Sequence, residues 1–267
     1  MLVSVIIFLR EVLEASLLIS IFLAISYQLG LSRKWIFYGM GIGLLGAIFS
    51  ASYMSEISSL FDGTGQEITN ALYLISMVIL IILICIACSP LLNTLKVDMV
   101  PLYGKLFYNL LSATISIAIC HEGSELSIYS YGFINTHDST LALVTGGLLG
   151  LGIGASIGAL IYYILIGLNI IKLYRAAISI LLLIAAGMIS QATLYLMQSD
   201  WLPGQKPLWD TSHLISENSL IGQLLYALIG YEATPYPLQV ILYLSVIFIG
   251  VTAILIYKQQ KQLNCHV

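Results

Sequence analysis

The feature that most constrains this chain is a succession of apolar runs, several longer than the roughly 18 residues that cross a bilayer core as a helix. Of 267 residues, 59% are hydrophobic and 9% charged, where a soluble domain carries about a quarter charged residues. The expected fold is therefore an all-α integral membrane protein, one transmembrane domain spanning 1–267. A net charge of −3 argues against nucleic-acid binding, and no basic tail or Gly/Ser-rich linker suggests a second domain. The N-terminus lacks a basic n-region and a small-residue cleavage site, so residue 2 onward is expected to be a retained first span.

Polar breaks divide the chain into seven expected transmembrane helices, near residues 2–29, 35–54, 67–89, 106–130, 141–171, 176–197 and 238–257. Arg33, Lys34, Lys96, Lys105, Lys172, Arg175, Lys258 and Lys261 fall on one side of this arrangement, and Lys206 alone on the other. The positive-inside rule then predicts an external N-terminus and a cytoplasmic C-terminus. The segment 198–237 becomes an external loop, with Trp201, Trp209, Tyr231 and Tyr236 suited to the membrane interface. Its central "TSHLISENSLIGQLLYALIG" fits a short helix lying on or dipping into the outer face.

The first six spans read as two copies of three, 1–90 and 105–197. Span 1 carries "REVLE" and span 4 "HEGSE", with polar residues at the same i, i+1 and i+4 positions. Span 2 has small residues at Gly39, Gly43, Ala47 and Ala51, and span 5 at Gly146, Gly150, Gly154 and Gly158. Such stripes are packing faces, because small residues let helix backbones approach in lipid. Three spans is an odd number, so the second copy runs opposite to the first, the inverted-repeat plan of many secondary transporters.

On a helix, i, i+1 and i+4 share one side. Arg10, Glu11 and Glu14 form one polar stripe, with Arg10 and Glu14 a turn apart and able to pair; His121, Glu122 and Glu125 form the other. Burying each ionised group costs about 2.5–3.5 kcal/mol at mid-membrane. A single stripe could be a self-neutralising structural pair, but two in matching spans point to a site. Four facing carboxylates suit a hard cation. While the site is empty, repulsion and desolvation favour protons on some of these glutamates, so metal entry would release them. pH-independent metal affinity would refute that coupling.

These motifs resemble the high-affinity iron permease family, the oxidase-dependent iron transporters of bacteria and fungi. The hallmark R-E-x-x-E in the first and fourth of seven spans is matched here by "REVLE" and nearly by "HEGSE". "GTGQEITNALYLI" resembles the family's entry to span 3, and "LWDTSHLISENSLIGQLLYALIGYEATPYPLQVILY" its last external loop and seventh span. The resemblance implies a permease of the cytoplasmic membrane, not an enzyme, that carries iron ions through Glu11, Glu14, Glu122 and Glu125. It implies a role for Arg10 in orienting or balancing the first pair, and no permanently bound cofactor. Surrounding lipid and an extracytoplasmic oxidase or iron-delivery protein are the expected partners, with 198–237 as the docking surface. The departure is His121 where arginine is expected: imidazole can ligate metal and titrates near neutral pH, whereas guanidinium does neither. His121 is thus expected either to widen tolerance for ferrous and other divalent ions or simply to hydrogen-bond Glu125.

Around this core, Glu67 at the start of span 3, the deep polar residue Gln191 in span 6 and the external Asp210 are candidate path residues. Gln66, Glu56, Asp62, His137, Asp138, His213, Glu217 and Glu232 are also expected outside, as a funnel or as a consequence of keeping basic residues inside. Cys265 and His266 sit at the cytoplasmic end, and Cys85 and Cys88 read as small buried residues rather than a redox pair. Three other activities compete. "HEGSE" partly matches the zinc-protease H-E-x-x-H but leaves "REVLE" unexplained. An organic-cation transporter could use the same carboxylates without metal, and a manganese or lead permease would share the iron chemistry.

Overall fold

The computed structural model describes residues 2–92, 100–135, 140–217 and 219–264. Lys96, His137, Asp138, Cys265 and His266 lie outside them. Every regular element among the described residues is helical: α1 (Leu2–Gln28), α2 (Lys34–Ser52), α3 (Met54–Ser59), α4 (Gly65–Cys88), α5 (Val100–Asn135), α6 (Thr140–Ile166), α7 (Ile170–Gln198), α8 (Leu220–Ile229) and α9 (Pro237–Asn264), with 3₁₀ turns at Phe61–Gly63 and Ser89–Leu92. Among these, α2, α4, α6, α7 and the Pro237–Tyr257 part of α9 are long and apolar enough to cross a membrane. The helices α1 and α5 are 27 and 36 residues long and carry the two charged stripes.

The expected boundary between spans 5 and 6 is corrected. The break falls at residues 167–169, and α7 already contains Lys172 and Arg175. In the sequence these cations look like loop residues, but a helix end tolerates them because their long aliphatic stems let the charge reach polar surroundings. The short helix expected in 198–237 is α8, whereas α3 and the following turn had no sequence counterpart.

Burial in α2 and α6 is inverted relative to a soluble helix. The buried residues of α6 are Leu143, Gly146, Gly147, Gly150, Gly154, Gly158 and Leu165, while Leu148, Leu151, Leu160 and Ile164 are exposed. In α2 the buried set is Trp35, Gly39, Gly43, Ala47 and Ser50, with Phe37, Ile42, Leu45 and Phe49 outside. Small residues inward and large apolar ones outward is the pattern of helices that pack in lipid. The stripe of α6 lies on α1. A methyl group at Gly150 would stand 2.6 Å from the Val5 carbonyl oxygen and 2.8 Å from the Leu9 nitrogen. Ser16 and Ser20 of α1 donate to the carbonyls of Gly154 and Gly158 at 3.1 and 2.7 Å. The stripe of α2 lies on α5 in the same way, where a methyl at Gly43 would meet Ile119 Cβ and the Ser116 carbonyl oxygen, both at 2.8 Å.

In both contacts residue numbers rise together, so α1 runs parallel to α6 and α2 parallel to α5. The third major contact joins α4 to α7. Leu74, Met77, Ile81, Leu181 and Ala185 belong to the buried core here, and the thiols of Cys85 and Cys88 are buried and unpaired. This wiring puts the N-terminus of α1, the C-terminus of α5 and the 199–236 segment at one end of the bundle. Phe61 and Trp201 meet edge to face there, ring centroids 5.9 Å apart. Arg33, Lys34, Lys105, Lys172 and Arg175 cluster in the segments at the opposite end.

Candidate cation site between α1 and α5

The glycine contacts fix α1 and α5 from behind, and the two helices turn their charged stripes toward each other. Near the stripes, Ser4 and Tyr129 share a hydrogen bond at 3.1 Å, and Phe8 meets the Tyr129 ring edge at 6.3 Å. Glu11, Glu14, His121 and Glu122 are only 5%, 7%, 1% and 4% exposed. That degree of burial is unusual for carboxylates and demands partners.

The partners supplied are incomplete. Arg10 Nε stands 4.0 Å from Glu11 Oε1 and 3.7 Å from Glu14 Oε1, beyond hydrogen-bond length. Buried Glu14 Oε1 and both Glu122 oxygens accept no hydrogen bond. The Glu122 carboxyl lies beside that of Glu11. Glu125 differs: its Oε1 accepts from Tyr195 Oη at 2.5 Å and Asn70 Nδ2 at 3.0 Å, with His121 Nε2 at 3.8 Å. The other ring nitrogen, His121 Nδ1, is buried without a partner. Among the described residues, no three His, Cys, Asp or Glu side chains converge into a ready-made metal cage.

The remaining candidates separate. Gln191 is buried and lines a narrow cleft with Glu14, Tyr226, Gly187 and Gly230. Glu67 occupies the first turn of α4, one turn before Asn70, with Oε2 buried and unpartnered. Asp210 is exposed; hydrogen bonding to Ser212, by its side chain first and by its backbone amide to Oδ1 at 2.9 Å second, holds the carboxyl below its usual range. Glu232 takes hydrogen bonds from Gln239 at 2.9 Å and Ser190 at 3.3 Å, yet burial raises its carboxyl above the usual range. It lines a cavity of about 370 Å³ with Trp209, Tyr231 and Tyr243.

Asn70, Tyr195 and Tyr226 were not singled out from the sequence. Tyr195 stands one helical turn after Gln191, and Asn70 one turn after Glu67, so both prolong faces already marked by a polar residue. Tyr226 carries no such signal, since tyrosine is ordinary in an interfacial helix.

Three similar proteins carry the same name, ferrous iron permease EfeU. The sequences from Escherichia coli O6:H1, Escherichia coli O157:H7 and Shigella sonnei are each 24% identical to this chain over 250 residues, covering 88% of both partners. No solved structure gives a significant match. The signature of the Iron permease FTR1 family extends over residues 1–259. With a match of that extent, this all-helical chain belongs to the iron permease FTR1 family.

Proposed function

We propose that the chain imports iron through the carboxylates of Glu11, Glu14, Glu122 and Glu125, passing the ion between the stripes of α1 and α5. The observation that carries this reading is the set of buried carboxylate oxygens on Glu14 and Glu122 that no protein donor satisfies. A hard cation supplies what they lack. An open pair of stripes also suits transport better than a closed cage, since a transported ion must bind well enough to enter and loosely enough to leave. The similar proteins are named for ferrous iron, which favours the divalent ion as cargo. His121 next to Glu122 offers a nitrogen of intermediate softness that fits the same ion.

Seven spans follow if α1 and α5 cross the membrane with the five more apolar helices. Exchanging α1 with α5, α2 with α6 and α4 with α7 turns the α1–α6 contact into the α5–α2 contact and returns α4–α7 to itself. That exchange supports two inverted repeats around the stripes. The cluster of basic residues at the far end supports a cytoplasmic membrane orientation with the stripes in the outer half. Gln191, which shares a cleft with Glu14, is then a polar step beside it, Glu67 and Asp210 are outer contacts for the ion, and the 199–236 segment is the surface open to a delivery protein.

The test is uptake of radiolabelled ferrous and ferric iron into cells lacking other iron importers. Glu11→Gln and Glu122→Gln, at matched membrane levels, are each expected to reduce ferrous uptake at least tenfold. Undiminished uptake in both variants would make the stripes structural and end this reading.

A further inference from the structure

We propose that Tyr226 is a positioning residue for the cation site: it holds the Arg10 guanidinium off Glu11 and Glu14 and so keeps both carboxylates open to an arriving divalent cation. The inference rests on the reading of those glutamates as iron ligands.

Arginine one turn from a glutamate ordinarily closes into a short charge-assisted contact of about 2.7–2.9 Å. Arg10 does not. Its Nε is 3.7 Å or more from either carboxylate and makes no hydrogen bond. Its Nη2 instead donates to Tyr226 Oη at 2.8 Å, and Cζ lies 4.3 Å from the centre of the Tyr226 ring. A hydrogen bond and a cation–π contact thus act on one guanidinium from one side chain.

Tyr226 can hold this position because α8 is pinned at both ends. Ser219 caps its N-terminus by accepting from the Gly222 amide at 3.0 Å, and Gln223 Nε2 donates to the Glu217 carbonyl at 2.7 Å. Gly230 closes the C-terminus with φ of 66°, the left-handed conformation that glycine adopts without strain. Its backbone lies directly against Gly187 of α7. The ten-residue helix is therefore wedged against both α1 and α7. Tyr226 also lines the cleft that contains Glu14 and Gln191. Without it, Arg10 is free to fold onto Glu14 and Glu11 as a built-in competitor of the transported ion.

Ferrous iron uptake by purified protein in liposomes, measured against iron concentration, tests this. Tyr226→Leu removes both contacts and is expected to raise KM roughly tenfold, equivalent to about 1.4 kcal/mol, with Vmax per folded transporter unchanged. Tyr226→Phe keeps the ring and is expected to raise KM about two- to threefold. In an Arg10→Gln background, Tyr226→Leu is expected to change nothing further, because the two residues act as one unit. The same cycle read by equilibrium binding of ferrous ion to the detergent-purified protein serves if Arg10→Gln does not turn over. An equal effect with and without Arg10, or a lower Vmax at unchanged KM, would overturn the proposal and leave Tyr226 a structural residue of α8. Loss of uptake in Glu11→Gln beside a native KM in Tyr226→Leu would refute this inference alone; full uptake in Glu11→Gln would remove the site it serves.

Discussion

In the stripe on α1 the counter-charge is Arg10, on the same helix, and α8 holds it. In the stripe on α5 the corresponding position is His121, and the carboxylate that an arginine would face, Glu125, is met by Tyr195 from α7 and Asn70 from α4. The spacing is the same, but the burial and the electrostatic solution are not: Arg10 is partly exposed where His121 is buried, and Glu125 is more open than Glu14. A fixed cation neutralises Glu11 and Glu14 only at a distance, and under the proposed function an incoming ion must contend with it. Neutral donors saturate Glu125 Oε1 while leaving Oε2 without a hydrogen bond among the described residues. The first stripe is thus controlled by where a charge is held, and the second by how one oxygen is oriented. A chain can reach a similar field by either route, with different consequences for what binds.

The strongest challenge to this comparison removes the support behind one stripe at a time. Gly150→Leu drives a branched side chain into the backbone of α1, and Gly43→Leu does the same against α5. Both are expected to cost more than about 3 kcal/mol, at or beyond the usual upper range for overpacking because backbone is what must move. Detergent-solubilised protein should then lose its monodisperse chromatographic peak in each case. A well-behaved Gly150→Leu protein would mean that α6 does not fix the first stripe.

Next in size is His121→Arg, which gives the second stripe the charge of the first. A permanent cation beside Glu125 competes with the transported ion, so the KM for ferrous iron is expected to rise about tenfold, one charge-assisted contact's worth. An unchanged metal preference and pH profile would show that the histidine merely occupies the place of arginine. The smallest effect belongs to Tyr195→Phe, which removes one donor from Glu125 and leaves Asn70 in place. A hydrogen bond to a charged group contributes about 1.5–3 kcal/mol, but the remaining donor and a recruited water offset much of its loss, leaving an expected two- to fivefold change in KM. If Tyr195→Phe matched the effect of Glu125→Gln, the two donors would not be sharing the load.

Much of the arrangement was legible before any tertiary contact was known. The glycine stripes in α2 and α6 announced close packing, and the structure finds those faces inward with large apolar residues outward. The boundary between α6 and α7 was less legible, because Lys172 and Arg175 look like loop residues until their helix is seen to carry them to its end. The stripes themselves were visible because i, i+1 and i+4 are neighbours on any helix. The repeat led to the expectation that the stripes face each other, but not to the donors that complete them.

Sequence alone determined the helical, lipid-facing character of the chain and the two charged stripes, since both follow from local periodicity and the cost of burying charge. Tertiary structure decided how those charges are held. Arg10 meets Tyr226 across 216 residues, Glu125 meets Tyr195 across 70 and Asn70 across 55. No local spacing marks such a pair, because a single polar residue on an apolar helix carries no record of what packs against it. The partner is chosen when the glycine faces close and α8 is wedged between α1 and α7.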